Sequence, residues 1–290
     1  ARAAPSAGAA AAACAASKLI KWPLAKPAAH RRGLGRKGHV MQTPARWRRR
    51  GVCEHVVVEL AMDHTDPQQL ASLAALFQQT LMPEQRQGAE EQIAALQAQP
   101  RFSLLLLALI QSESASTAIR LAAAIQFKNR CKLCWDPEDA EDTPGGVLGE
   151  EEKSVIRAQL LPVLVALAGA PTPSQAILAQ LNESIALVAA VDFPEQWPSL
   201  IDELVAQLGS DNYHVILSVL STSHAIFRRW RSMFRSDALY SEINLVLGKF
   251  AVPFLELLGR VYRTLVDPNV GPATTPPLAS CLVLLLQLFY

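Results

Sequence analysis

The chain has 290 residues, half of them apolar and only 6% aromatic, and its 27 basic and 26 acidic residues nearly cancel to a net charge of +1. Leu and Ala dominate, which favours helices over sheets, and five scattered cysteines (Cys14, Cys53, Cys131, Cys134, Cys281) are too few for a disulfide framework and suit a reducing compartment. The longest apolar run, Leu278 to Tyr290, falls short of the roughly 18–20 residues needed to span a bilayer.

The near-neutral total conceals two opposite parts. Up to Cys53 there are twelve Lys/Arg and no Asp or Glu, whereas from Met62 onward fifteen basic and twenty-four acidic residues give −9. Such asymmetry separates a leader from a body. Residues 1–61 are rich in Ala, Arg and Pro and sustain no helical period. Arg46-Trp47-Arg48-Arg49-Arg50 fits a nuclear-localisation or nucleic-acid patch. Arg without acid also fits a mitochondrial transit peptide that would deliver a helical enzyme. Nothing in the segment would pack, however, and it is read as a disordered or non-native leader without an assigned function.

From Met62 the patterning changes. Asp66-Pro67 is a helix start, with Asp at the N-cap and Pro in the first turn, and Leu70, Leu73, Ala74, Phe77 and Leu81 share one face. Pro83 opens a second helix carrying Ala89, Ile93 and Leu96, and Pro100 closes it. Residues 102–110 are apolar all round, as in a short helix buried on several sides. The next helix, 116–135, carries Ala118, Ala122, Ala123 and Ala124, small enough for close approach of its neighbours.

Acidic residues, Pro144 and Gly145-Gly146 then predict a loop over 136–152. Val155–Leu167 is a further helix. Thr172-Pro173 starts another, lined by Ile177, Leu178, Leu181, Ile185 and Val188. The connector 193–198 (FPEQWP) leads to a helix that Gly209 stops. Ile216, Val219, Leu220, Ser223, Ile226, Phe227 and Trp230 form an amphipathic helix. A long helix over 236–265, bent near Pro253, and a last one after Pro276-Pro277 complete the series.

Helix–turn–helix units therefore end near Gln99, Trp135, Val191 and Trp230, with another under way at the C-terminus. Spacings of roughly 35–55 residues predict an all-α superhelix of the HEAT/armadillo solenoid type. A hairpin of this kind buries its apolar faces only by stacking on its neighbours.

Several segments resemble a known family. Residues 62–70 (MDHTDPQQL) are similar to an amino terminus, making Met62 the expected start of the native protein. Residues 89–96, 102–107 (FSLLLL), 119–123 (IRLAA) and 125–130 (IQFKNR) to Trp135 resemble the amino-terminal domain of the importin-β family, expected at about 84–165. The phrases 192–200 (DFPEQWPSL), 214–216 (HVI), 224–229 (HAIFRR) and 241–247 (SEINLVL) narrow the likeness to the branch that returns importin-α to the cytoplasm. It covers 62–290, about five hairpins with the last truncated, and none of the leader.

The resemblance implies a receptor fragment that shuttles between nucleus and cytoplasm. It would bind the small GTPase Ran in its GTP form on the second helices of the first repeats, with importin-α as cargo held partly by distal repeats. It also implies that Lys128, Asn129 and Arg130 face Ran, with Asn182 and Glu183 on the next inner helix. Read from residues alone, Lys128 and Arg130 are equally well explained as cations placed at a helix C-terminus.

Arg228, Arg229, Arg231 and Arg235 form a basic cluster that is either a solvated, dipole-compensating turn or a docking patch for an acidic partner. The body's charge of −9 suits basic protein partners and opposes direct nucleic-acid binding.

Cys131-x-x-Cys134 has metal-ligand spacing but no second pair to complete the four ligands of a zinc site, so both are expected to pack in the core. His214 and His224 are expected at a core edge. No P-loop, HExxH or GxSxG occurs, and neither a catalytic residue nor a cofactor is expected. The competing reading is a HEAT-repeat scaffold for some other protein complex.

Overall fold

In the computed structural model, the helical signals that begin at Asp66 become ten α-helices and one 3-10 turn, with no strand among the described residues, which are 66–136, 146–268, 271 and 274–289. The leader assigned to residues 1–61, and residues 137–145 of the expected loop, lie outside them.

Helix α1 (Pro67–Thr80) starts as its residues dictate: the Asp66 carboxylate accepts from the Gln68 amide at 2.9 Å, and Pro67 occupies a position whose N–H would be unpaired anyway. Helix α2 (Arg86–Gln97) begins three residues later than Pro83 suggested. The amides of Leu81 and Met82 bond back to Gln78 and Gln79, tightening the end of α1 into a turn. The chain is free to wind again only at Arg86, whose Nε donates to the Thr80 carbonyl at 3.0 Å.

Helix α3 (Phe102–Gln111) buries eight of its ten residues. Its entry residue, Arg101, has φ +64°, a left-handed conformation uncommon for a residue with a Cβ, and supplies no capping side chain. The cap comes from elsewhere. Glu152, buried in the first turn of α5 (Glu150–Ala168), accepts from the amides of Arg101 and Ser103, both at 3.0 Å.

The expected loop over 136–152 is accordingly shorter at its C-terminal end. Glu150, Glu151 and Glu152 belong to a helix, in the first turn where negative charge is favoured. Helix α4 (Thr117–Cys134) is capped by Ser116, and its Ala123 and Ala124 are fully buried.

Helix α6 (Gln175–Asp192) starts two residues beyond Pro173, without a side-chain cap. Helix α7 (Leu200–Leu208) stops at Gly209 as read. Helix α8 (Tyr213–Phe227) is capped by Asn212 and passes into the 3-10 turn Arg228–Arg231. Helix α9 (Asp237–Val266) contains Pro253, and α10 (Thr275–Phe289) places Pro276 and Pro277 in its first turn.

Sequential helices pair as hairpins: α1 with α2, α3 with α4, α5 with α6, α7 with α8, α9 with α10. The second helices also stack on one another, α4 on α6, α6 on α8 and α8 on α10, and these seams are as extensive as the hairpins themselves. One apolar core runs through the stack, from Leu73 to Leu285. This is the HEAT-type solenoid, in which each repeat completes the burial of the next.

Candidate functional site

The residues predicted to face a partner fall into three physical situations. Lys128 and Asn129 lie on α4, about one turn before its end, half-exposed and without a side-chain hydrogen bond or ion pair among the described residues. They are available to a ligand.

Arg130 is not. It is 4% exposed, its Nε donates to Ser103 Oγ at 3.1 Å, its Nη1 donates to the Gln97 carbonyl at 3.0 Å, and its guanidinium lies over the Phe102 ring at 5.4 Å. Arg130 thus ties α4 to the end of α2 and the start of α3, sharing Ser103 with Glu152. The expectation of a surface contact at Arg130 is corrected: buried position and filled donors make it an internal strut. Nor do the three residues close their helix, since Lys132 is the basic residue of the last turn.

Asn182 and Glu183 occupy the middle of α6. Asn182 Oδ1 accepts from Thr222 Oγ1 of α8 at 2.8 Å, a polar bond across the α6–α8 seam. Glu183 pairs with Arg228 at 3.3 Å, both side chains about half exposed, so the pair contributes little beyond positioning. Two sets of candidates that looked independent in sequence are thereby joined through Glu183 and Arg228.

The basic cluster sits on and just after the 3-10 turn, and its four arginines are not equivalent. Arg229 forms an ion pair with Glu242 of α9 and donates to the Ala189 carbonyl at 2.9 Å. Trp230 Nε1 donates to the same Glu242 oxygen at 3.0 Å. Arg231 reaches only the Gln287 carbonyl, at 3.5 Å, and Arg235 is exposed with no side-chain partner among the described residues. Burial first, then the charges of Arg228 and Arg231, hold the His224 imidazole below its usual pKa. His214 is exposed near the start of α8.

A cleft of about 560 Å³ opens beside the turn, lined by Phe227, Trp230, Phe250, Phe254, Leu247 and Leu255 with His224, Arg228 and Arg231 among its walls. Phe227 stacks on Trp230 at 4.7 Å and meets Phe250 edge-on at 5.4 Å. Sequence reasoning missed this cleft, because its walls come from α8, α9 and α10 and share no local spacing. It also missed Arg157, which bridges Glu150 and Asp192 and so pins the start of α5 to the last residue of α6.

Cys131, Cys134 and Cys281 are buried free thiols. Burial pushes all three up, Cys281 to about 12, away from nucleophilic or metal-binding behaviour. Among the described residues no group of three or more His, Cys, Asp or Glu could hold a metal ion, and no helix is long and apolar enough to cross a membrane.

Comparison with known proteins places this geometry. Residues 89–166 match the importin-beta N-terminal domain, and residues 226–290 match the family described as Cse1. Exportin-2 of Oreochromis niloticus is 33% identical over 223 residues, 76% of this chain and 22% of that protein. The importin alpha re-exporter of Saccharomyces cerevisiae is 32% identical over 221 residues, again 76% and 22% of the two chains. A solved structure described as the exportin Cse1 in its cargo-free, cytoplasmic state superposes with a TM-score of 0.68 at 31% identity, covering 77% of this chain and 23% of that one. The chain thus spans about 22% of the length of the curated relatives it matches.

Proposed function

The chain belongs to the exportin-2 family of importin-β-type transport receptors, as an amino-terminal portion, and from that membership we propose that it binds Ran in its GTP form and takes part in returning importin-α from nucleus to cytoplasm. The observation that carries the reading is the order of the two family matches along one helical stack: the importin-beta N-terminal domain at 89–166, then the Cse1 region at 226–290.

On this reading the protein performs no covalent chemistry. Ran·GTP and importin-α each contact the same superhelix and raise one another's affinity, a reciprocal coupling. Lys128 and Asn129 on α4, with Asn182 and Glu183 on α6, are the proposed Ran-facing residues. Glu183 would have to release Arg228 to meet Ran, a small barrier for a half-exposed pair. The acidic body attracts a basic protein face and speeds encounter. Enclosure of importin-α is assigned to the whole receptor, whose relatives are several times longer, and shuttling between nucleus and cytoplasm follows from the same role.

The test is retention of Ran loaded with a non-hydrolysable GTP analogue or with GDP, on the immobilised chain. Preference for the GTP form, weakened by Lys128→Glu without loss of helicity, supports the proposal. Equal retention of both forms would refute it and favour a general HEAT-repeat scaffold.

A further inference from the structure

Thr222 is fully buried in the seam between α6 and α8, and its hydroxyl reaches Asn182 on the neighbouring helix. A threonine hydroxyl carries one proton. Two acceptors stand within its reach, Asn182 Oδ1 at 2.8 Å and the Ser218 carbonyl of its own helix at 3.0 Å. The Ser218 carbonyl lies in mid-helix, where the Thr222 amide already serves it. Asn182 Oδ1 has no other donor among the described residues, so the shorter bond takes the proton.

The consequence is directional. An asparagine amide is one flat group, with an acceptor on one branch and two donor hydrogens on the other. Thr222 turns Oδ1 into the seam and leaves Nδ2 on the other side. Nδ2 has no partner among the described residues, yet it is not among their buried atoms that lack one, so it is open to solvent. Beside it, the Glu183 carboxylate is engaged by Arg228 at 3.3 Å, and a contact made through Asn182 leaves that pair closed. On α4, Lys128 is half-exposed and also a free donor. Helix α6 has a second helix packed on each side, α4 and α8, so this face is bounded within the stack.

We propose that Thr222 is a positioning residue for the Ran contact: it fixes Asn182 so that the middle of α6 offers a hydrogen-bond donor. The group received from the GTPase is then an acceptor oxygen, of a carboxylate or a main-chain carbonyl. This rests on the Ran reading and sharpens it from a set of residues to the polarity of one contact. The field of the acidic body governs encounter at long range, whereas a single oriented donor governs what is accepted on contact.

Asn182→Asp tests the polarity by sign. It keeps the shape and an oxygen for Thr222, but replaces Nδ2 with a second oxygen. Facing an acceptor the new oxygen repels; facing a lysine, an arginine or an amide it attracts. The measurement is the Kd of Ran, loaded with a non-hydrolysable GTP analogue, on the immobilised 290-residue chain. Asn182→Asp should weaken binding about tenfold or more. That loss should shrink in high salt if the acceptor is a carboxylate and persist if it is a carbonyl.

Thr222→Val, nearly the same shape without the hydroxyl, should weaken binding about three- to tenfold, and Thr222→Ser should recover it to within about twofold. Ser223→Ala removes a buried hydroxyl of α8 that bonds only to its own helix, at 2.9 Å to the Val219 carbonyl, and should leave affinity unchanged. Equal or tighter binding by Asn182→Asp would overturn the proposal and leave the Ran reading standing. Parental affinity in Thr222→Val, or the same loss in Thr222→Val and Ser223→Ala, would do likewise. If the unmodified chain held the GTP and GDP forms equally, both readings would fall.

Discussion

Replacing Arg130 with Ala separates an internal strut from a surface contact. The side chain makes two hydrogen bonds, at 3.1 and 3.0 Å, and a face-on contact with Phe102 at 5.4 Å, all out of water. Hydrogen bonds from a charged donor contribute about 1.5–3 kcal/mol each and the ring contact about 0.5–1. The three share one guanidinium and do not add fully, and the cation's own desolvation opposes them, so a loss of about 2–4 kcal/mol is expected. For an array of this size that is a fall in Tm of roughly 4–16 °C.

Lys128→Ala, two residues away and half-exposed, should stay within about 0.5 kcal/mol of the parent. Arg130→Lys should fall between, because an ammonium keeps the charge but cannot span Ser103 and Gln97 with a rigid fork. Urea midpoints followed by far-UV circular dichroism, with thermal melts, measure all three. If Arg130→Ala and Lys128→Ala melted within about 1 °C of each other, the strut would be refuted.

Further outcomes can be checked on the same preparations. Leu220→Ala, at a fully buried position of α8, should cost about 2–5 kcal/mol in the same urea assay. His224 has a depressed pKa in the fold, so the stability linked to its neutral form is complete above the unfolded value near 6.5 and is lost as pH falls through the lower folded value. Urea midpoints should therefore decline on acidification below about pH 6.5, and His224→Gln should flatten that part of the profile. Cys131, Cys134 and Cys281 should resist iodoacetamide at pH 8 in the native protein and react once urea unfolds it, as peptide mapping would show. Asn182→Ala and Thr222→Val should couple in a double-mutant cycle by about 0.5–1.5 kcal/mol, since they share one seam-crossing bond.

Where a helix carries its own start signal, the sequence reveals it. Asp66, Ser116, Asn212 and Ser236 each cap the helix that follows with their own side chains. The start of α3 was placed by its apolar run, but its cap was invisible because Glu152 lies 49 residues beyond Ser103. The same distance hid Arg130's role: a cation in the last third of a helix reads as exposed until Ser103 and Gln97 close around it. Pro83 and Pro173 were taken as first-turn residues and instead precede their helices, because proline fixes φ equally well in a turn. Arg228 and Arg229 looked alike beside Arg231 and Arg235. Only Glu183 and Glu242, contributed by other helices, distinguish paired arginines from unpaired ones.

The uneven burial along the stack has a dynamic consequence. Helices α1 and α2 together bury only Leu73, Phe77, Ala89 and Ile93, whereas α3 alone buries eight residues and α8 another eight. In a one-dimensional array the least-buried unit opens first. Amide exchange should therefore be quickest in the first hairpin and slowest across α3, α6 and α8, producing a graded compliance. A ligand gripping α6 and α8 would meet a stiff wall; one that also clasps α1 and α2 would still a flap, and its footprint would register as slowed exchange well beyond the atoms it touches.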